Sequence, residues 1–191
     1  MERLYVEDKK FEKTDLAGQP LQVGDYENCI FSYCEFSKAV LSGLRFVDCT
    51  FSNCNMSMAL LGKTSFKDVQ FMSCKLLGLH FEDCDDFLFS VAFDSCTLDF
   101  ASFRDMKLKN TLFKNSSLQE ADFSGADLTN AQFDDCNLDR AVFAHSKLEG
   151  TDFRTAYNYS IDPELNQVKK AMFSLAGVGG LLEKYGIEIF D

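Results

Sequence analysis

Residues 121–135 read Ala121-Asp122-Phe123-Ser124-Gly125, Ala126-Asp127-Leu128-Thr129-Asn130, Ala131-Gln132-Phe133-Asp134-Asp135. Each five-residue unit places a small residue first, a large apolar residue third and polar residues between and after. A period of five matches neither the 3.6 of an amphipathic helix nor the 2 of a half-buried strand. A chain that turns roughly a right angle every five residues accounts for it. The large centre and the small residue two before it then both point inward.

Working outward, the centres alternate Phe and Leu at every fifth position from Phe93 to Phe153. Upstream the series runs Phe11, Leu16, Leu21, Tyr26, Phe31, Phe36, Leu41, Phe46, Phe51, Met56, Leu61, Phe66, Phe71, Leu76, Phe81, slips by two residues and resumes at Leu88. Of the 20 phenylalanines, 15 fall in this register, where chance would put about one in five. Self-similarity at a fixed period marks a solenoid. The expected fold is all-β, a right-handed quadrilateral parallel β-helix of about seven coils and ~34 Å, at one strand spacing per coil. A short helical cap closes its C-terminal end. The expected layout is one domain: an N-terminal cap and irregular first coil at 1–24, the β-helix at 25–156, and a cap with a dimerisation segment at 157–191.

The register disposes of the obvious sites. Seven of the eight cysteines occupy the small inward slot, with Cys84 at the slip, so they read as buried, space-filling thiols. Cys34, Cys54, Cys74 and Cys96 should form a column of free thiols, because in-register parallel side chains give the wrong torsion for a disulfide. His80 and His145 are about three coils, ~15 Å, apart and share no site. No phosphate-binding, dinucleotide-binding, zinc-protease or nucleophile-elbow motif occurs. No enzyme activity, metal or cofactor is expected. A net charge of −11 argues against direct nucleic-acid binding. No segment is apolar enough for a membrane span, and acids interrupt the first residues where a signal peptide would be apolar. A cytoplasmic location is expected.

Two surfaces stand out as candidates for a protein partner. Met58, Leu60, Leu77 and Phe100 lie outside the inward register over three neighbouring coils and would form an apolar corner. Glu82, Asp83, Asp85 and Asp86 crowd the slip, while Asp94, Asp134 and Asp135 share one face with Asp152, interrupted by Lys114 and Arg154. At the C-terminus, Asp162-Pro163 reads as a helix start. Leu165, Val168, Met172 and Leu175 follow at helical spacing, and Leu181, Leu182, Ile187 and Ile189 complete an apolar tail. The segment 181–185 makes a further turn that Gly186 ends, and 187–189 reads as a short strand.

The units at 121–130 resemble the pentapeptide-repeat family, A(D/N)LXX, over roughly residues 11–155, which implies the four-sided β-helix. The ending, Ile161-Asp162-Pro163-Glu164-Leu165-Asn166 and Leu181-Leu182-Glu183-Lys184-Tyr185-Gly186-Ile187, is similar to that of bacterial pentapeptide proteins that protect DNA gyrase from quinolones or microcin-type poisons. That resemblance implies a DNA-mimicking rod that binds gyrase or topoisomerase IV and a homodimer joined through its C-terminal segments. The long loops of that group are absent here. The residues read alone fit equally a general interaction or structural rod.

Overall fold

The computed structural model describes residues 3–188 and Phe190. The chain is the expected four-sided parallel solenoid. Strands Leu4–Glu7, Gly24–Glu27, Arg45–Val47 and Ser65–Lys67 stack as one sheet. A seven-stranded sheet on the adjoining side runs from Lys10–Glu12 through Ile30–Ser32, Thr50–Ser52, Val69–Met72, Val91–Asp94 and Leu112–Lys114 to Gln132–Asp134. Partners are 20 residues apart, as in Phe31↔Phe51 and Phe113↔Phe133. Across the slip they are 22 apart, as in Phe71↔Phe93.

Each side of the rod is one column of centres. The first face runs through Tyr26, Phe46, Phe66, Leu108, Leu128 and Leu148. The third runs through Leu16, Phe36, Met56, Leu76, Leu98, Leu118 and Leu138, and the fourth through Leu41, Leu61, Phe81, Phe103, Phe123 and Phe143; all are buried. The second is entirely aromatic. Phe11, Phe31, Phe51, Phe71, Phe93, Phe113, Phe133, Phe153 and Phe173 stack with ring centroids 4.7–5.4 Å apart. Lys9 occupies a small-residue slot in the first coil, and its Nζ lies 5.0 Å from the Phe11 centroid, closing that end of the stack with a cation–π contact.

The small slot follows a second rule beyond size. At Ala39, Ala59, Ala101, Ala121, Ala126, Ala131, Ala141 and Ala156 the slot amide donates to the carbonyl of the centre residue three before it. At Cys34 and Cys54 no such bond forms: the preceding centres lie in the strands Ile30–Ser32 and Thr50–Ser52, and their carbonyls stay open to the next coil. The Cys54 thiol donates to the Phe31 carbonyl at 3.3 Å, Cys74 to Phe51 and Cys96 to Phe71, both at 3.4 Å. Thiols therefore stand where a slot donor is needed, and alanine where the backbone has its own. All eight cysteines are free. Burial pushes the Cys49 and Cys136 thiols up to about 12, so they stay protonated.

Every corner carries a cost. Two residues after most centres the backbone is left-handed, with φ between 48° and 62° in non-glycine residues such as Asn28, Asp48, Asn53, Asn115 and Asp135. That conformation costs on the order of 1 kcal/mol each, least for Asn and Asp.

Three expectations are corrected. The slip does not resume at Leu88: that residue turns outward with φ 57° and is 55% exposed. Phe89 packs inward instead, its ring 6.4 Å from Phe66 and 6.3 Å from Phe81. The segment from Asp162 to Leu175 is no helix but one more coil, with Lys147 bridged to Gln167 and Asp152 to Met172. Asn166 fills the slot, its amide donating to the Phe143 carbonyl, and Val168 and Phe173 return to the centre register. The β-helix thus passes the expected boundary at 156. Third, Ile187 and Glu188 are in no strand, and Ile189 lies outside the described residues.

The helical cap consists of two 3-10 turns, Val178–Leu181 and Glu183–Tyr185, ended by Gly186 at φ 60°. Gly180 lies so close over Tyr159 that a Cβ would sit 2.2 Å from its carbonyl oxygen, and its own carbonyl accepts the Ile161 amide. Lys184 fastens the cap through Asp162 at 2.6 Å and Glu164 at 2.8 Å.

Truncating one ring of the aromatic stack, Phe113→Ala, should cost about 3–5 kcal/mol. Phe87→Ser, at a side chain 72% exposed, should change stability by less than about 0.5 kcal/mol. Denaturant midpoints of the two variants check this. Lys184 holds the Asp162 and Glu164 carboxyls below the usual carboxylate range. A depressed carboxylate contributes stability above its unfolded pKa and loses it as pH falls through the folded one. Exchange protection at the Glu183–Gly186 amides, corrected for intrinsic rates, should therefore persist at pH 6 and decline below the ordinary carboxylate range. Protection independent of pH would exclude this anchoring.

Candidate partner-binding surfaces

The filled interior leaves the function to the outside of the rod. Each pentad presents the residue before the centre, the one after it and the left-handed corner residue. Outward side chains at equivalent positions in successive coils form vertical columns at the strand spacing, ~4.8 Å.

The apolar corner lies between the third and fourth faces. Met58, Leu60, Leu77 and Phe100 are 53%, 57%, 37% and 55% exposed. Val40, absent from the sequence-based set, is 57% exposed and bridges in parallel to Leu60, so the patch extends one coil toward the N-terminus. Its signal was available in the sequence, as an apolar residue just before the Leu41 centre.

The acids of the slip are engaged with their surroundings. Glu82 pairs with His80 Nδ1 at 3.0 Å, Asp85 accepts the Phe87 amide at 3.1 Å, and Asp86 pairs with Lys107 at 3.1 Å. Asp83 contributes its backbone, its carbonyl accepting the Lys63 amide. Together they hold an insert that leaves Phe87 and Leu88 in solvent.

On the second face Asp94, Lys114 and Asp134 occupy the same row of neighbouring strands, with Asp135 at the next corner. Lys114 stands 3.8 Å from Asp94, and Arg154 reaches Asp152 at 2.7 Å. Hydrogen bonds from Ser95 and Asn115, with Lys114 nearby, hold the Asp94 carboxyl below the usual range, and Arg154 does the same for Asp152. The acids of this face are thus partly neutralised at alternate rungs.

Positive charge is segregated, a feature that appears only when the coils are stacked. On the C-terminal half of the first face, Lys107, Asp127, Lys147 and Gln167 form one column, with Lys109, Glu149 and Lys169 beside it and Lys170 at the corner. Five lysines there oppose Asp127 and Glu149. Away from that face and its bordering Asp105, residues 91–160 carry eight acids against four bases.

At the C-terminal end Leu165, Met172 and Ile187 are 50%, 38% and 54% exposed. Val168 and Leu181 pack on the core, and Leu182 is half-buried. Leu175 and Phe190 add two more exposed apolar groups at this end. Among the described residues no group of acids, cysteines and histidines is arranged to hold a metal ion. No helix there is long and apolar enough to cross a membrane.

Two family models match the chain: pentapeptide repeats in eight copies over residues 27–57, and a pentapeptide repeat region over residues 86–157. Together they cover more than half of it. Among solved structures the chain is similar to trypsin-treated QnrB1, described as a plasmid-mediated fluoroquinolone resistance protein. The match covers 98% of each chain, with 18% identity and a TM-score of 0.62. Full-length QnrB1 gives 19% identity and a TM-score of 0.55 over 97% of this chain and 98% of that one. HetL from the cyanobacterium Nostoc sp., a pentapeptide repeat protein involved in heterocyst differentiation regulation, gives 12% identity and 0.59 over 91% and 87%. At these identities the likeness establishes the fold. No curated protein matches the chain.

Proposed function

Since the chain belongs to the pentapeptide-repeat family, we propose that it is a non-catalytic protein-binding rod that occupies the basic DNA-binding surface of a type II topoisomerase, gyrase or topoisomerase IV, as a DNA mimic. In that role it protects the enzyme from fluoroquinolones or similar poisons. The observation that carries this reading is the segregation of charge around the rod. Lysines gathered on one face leave the rest of residues 91–160, with Asp105 at the border of that face set aside, carrying eight acids against four bases. A basic saddle therefore meets a predominantly acidic flank whose charges are fixed at strand spacing on a rigid body. The end-to-end similarity to QnrB1 supports the same reading through the shape of the molecule. No cofactor, membrane or direct nucleic-acid contact enters it, and its place of action is the cytoplasm, where the topoisomerase is.

The functional unit in this reading is a homodimer. The apolar C-terminal end, with Leu165, Met172, Leu175 and Ile187 in solvent, is the surface through which two rods meet end to end. Burying those groups removes an apolar patch that a monomer would expose to water.

One observation favours a second reading, a general interaction scaffold of another partner. The corner formed by Val40, Met58, Leu60, Leu77 and Phe100 is a contiguous exposed apolar patch that a purely electrostatic mimic does not need.

The test is a supercoiling assay with purified bacterial gyrase and ciprofloxacin, titrating this protein from nanomolar to tens of micromolar. Rescue of supercoiling, or salt-sensitive inhibition at high concentration, is expected. No effect across the range with gyrase from several hosts would reject the topoisomerase reading. Leu77→Ser with Phe100→Ser should leave rescue intact; loss of rescue in a folded variant would transfer the site to the apolar corner. Sedimentation at micromolar concentration should give twice the 21.6 kDa of the chain, and a 21.6 kDa species would exclude the dimer.

A further inference from the structure

The two-residue insert and the lysine column meet at one place, and neither the acidic flank nor the apolar corner uses it. An open cleft of about 640 Å³ lies between the insert and the first face. One wall is Phe87 and Leu88; the other is Lys107, Lys109 and Lys147, with side chains 73%, 58% and 51% exposed. We propose that this cleft is a separate docking site, which takes an acidic protein segment carrying an apolar anchor residue.

The apolar wall is an exposed one. Because the chain sends Phe89 inward, it leaves Phe87 72% and Leu88 55% exposed. Leu88 is moreover in the left-handed region at φ 57°. A leucine there is strained, and such strain persists where surrounding contacts enforce it. Those contacts are present: the Asp85 carboxylate accepts the Phe87 amide, and Asp86 pairs with Lys107 across the cleft edge. The wall is thus fastened to the cationic side it faces.

The floor is kept low by Gly125, at φ 71°, where a Cβ would collide with the Asp105 carboxylate. Between the lysines lies Asp127, its side chain only 15% exposed, with Lys109 at 3.4 Å and Lys147 at 3.7 Å. One partly buried carboxylate shared by two ammonium groups leaves net positive charge facing solvent. Asp127 fixes the lysines more than it cancels them.

Charge complementarity selects the occupant. The lining sets Lys107, Lys109 and Lys147 against Asp86, Asp105 and Asp127, so its positive charge is local, and a nucleic-acid strand would bring uniform negative charge against Asp86 and Asp105 at the rim. A peptide places a few carboxylates at the ammonium groups and sets one apolar side chain against Phe87 and Leu88. A rim of this kind governs association rate and salt dependence, while the apolar anchor governs residence.

Fluorescence anisotropy on the full chain tests the site with three labelled probes of equal charge: a glutamate-rich peptide around a Leu-Phe pair, the same peptide with Ser-Ser in its place, and a single-stranded oligodeoxynucleotide. The Leu-Phe peptide should bind, and binding should weaken with salt. It should also weaken about tenfold or more in Phe87→Ser/Leu88→Ser and, separately, in Lys109→Glu/Lys147→Glu, a factor worth about 1.4 kcal/mol. The apolar pair is exposed, so the first variant should fold normally even if the second does not. Several outcomes would overturn the proposal: no binding, equal binding of the Ser-Ser peptide, displacement by the oligonucleotide, or undiminished binding in the Phe87→Ser/Leu88→Ser variant. Loss of self-association in the lysine variant would assign the cleft to a second copy of the chain and overturn it equally. No topoisomerase is present in the assay, so its result is independent of drug protection.

Discussion

Nine phenylalanine rings lie face to face along the second side of the rod at 4.7–5.4 Å, a separation set by the spacing of hydrogen-bonded strands. The coincidence of these two lengths is the constraint on which the rest depends. A stacked pair contributes about 0.5–1.5 kcal/mol beyond the area it buries, and it does so only if the coil closes in register. A coil one residue too long would turn a ring toward water, so the chain meets the register through left-handed corners, each unfavourable alone. The backbone strain at Asn28, Asp48 or Asn115 is the local counterpart of a stack that runs the length of the molecule.

The same constraint explains the composition of the slot. A four-sided coil full of Phe and Leu leaves room for little beside each centre. The identity of the small residue follows the backbone in part: alanine stands where the corner amide closes onto the centre carbonyl, and a thiol or, at Asn166, an amide stands where that carbonyl looks to the next coil, while the Thr64 and Thr151 hydroxyls add a second donor to carbonyls that already accept a slot amide. The cysteine column from Cys34 to Cys96 is a set of weak hydrogen-bond donors in a dry interior, and outside that column burial keeps the Cys49 and Cys136 thiols protonated.

The fold was legible because a period of five has one simple structural solution, and the centres announce it. What escaped the sequence has particular causes. Asn158 and Pro163 fall on two consecutive centre positions and interrupt the series after Phe153, although Val168 and Phe173 continue it in phase. Leu165, Val168, Met172 and Leu175 are spaced three or four apart by coincidence, and backbone pairing to Lys147 and Asp152 overrides that helical pattern. At the slip, Leu88 and Phe89 were equivalent claimants for one inward position, and only the geometry of the corner separates them. The lysine face is hidden in the sequence because Lys107, Lys109, Lys147 and Lys169 are far apart along the chain, and only the stacking of coils gathers them. The apolar corner was legible from Met58, Leu60, Leu77 and Phe100, since residues outside the register must point out, and Val40, one 20-residue coil before Leu60, was legible on the same ground.

The 20-residue pairing distance also governs how such a molecule tolerates change in length. Gain or loss of a whole coil translates everything downstream along the axis and leaves each face where it was. Gain of a single pentad rotates everything downstream by a quarter turn, carrying the lysine column around to the side where the acids were. The two residues of the insert do neither. They are absorbed within one corner, and Phe71 still faces Phe93, so the surfaces on either side remain aligned while one place on the rod acquires a wall. In a fold made of identical steps, a short insertion is the cheapest way to make one step different from the others.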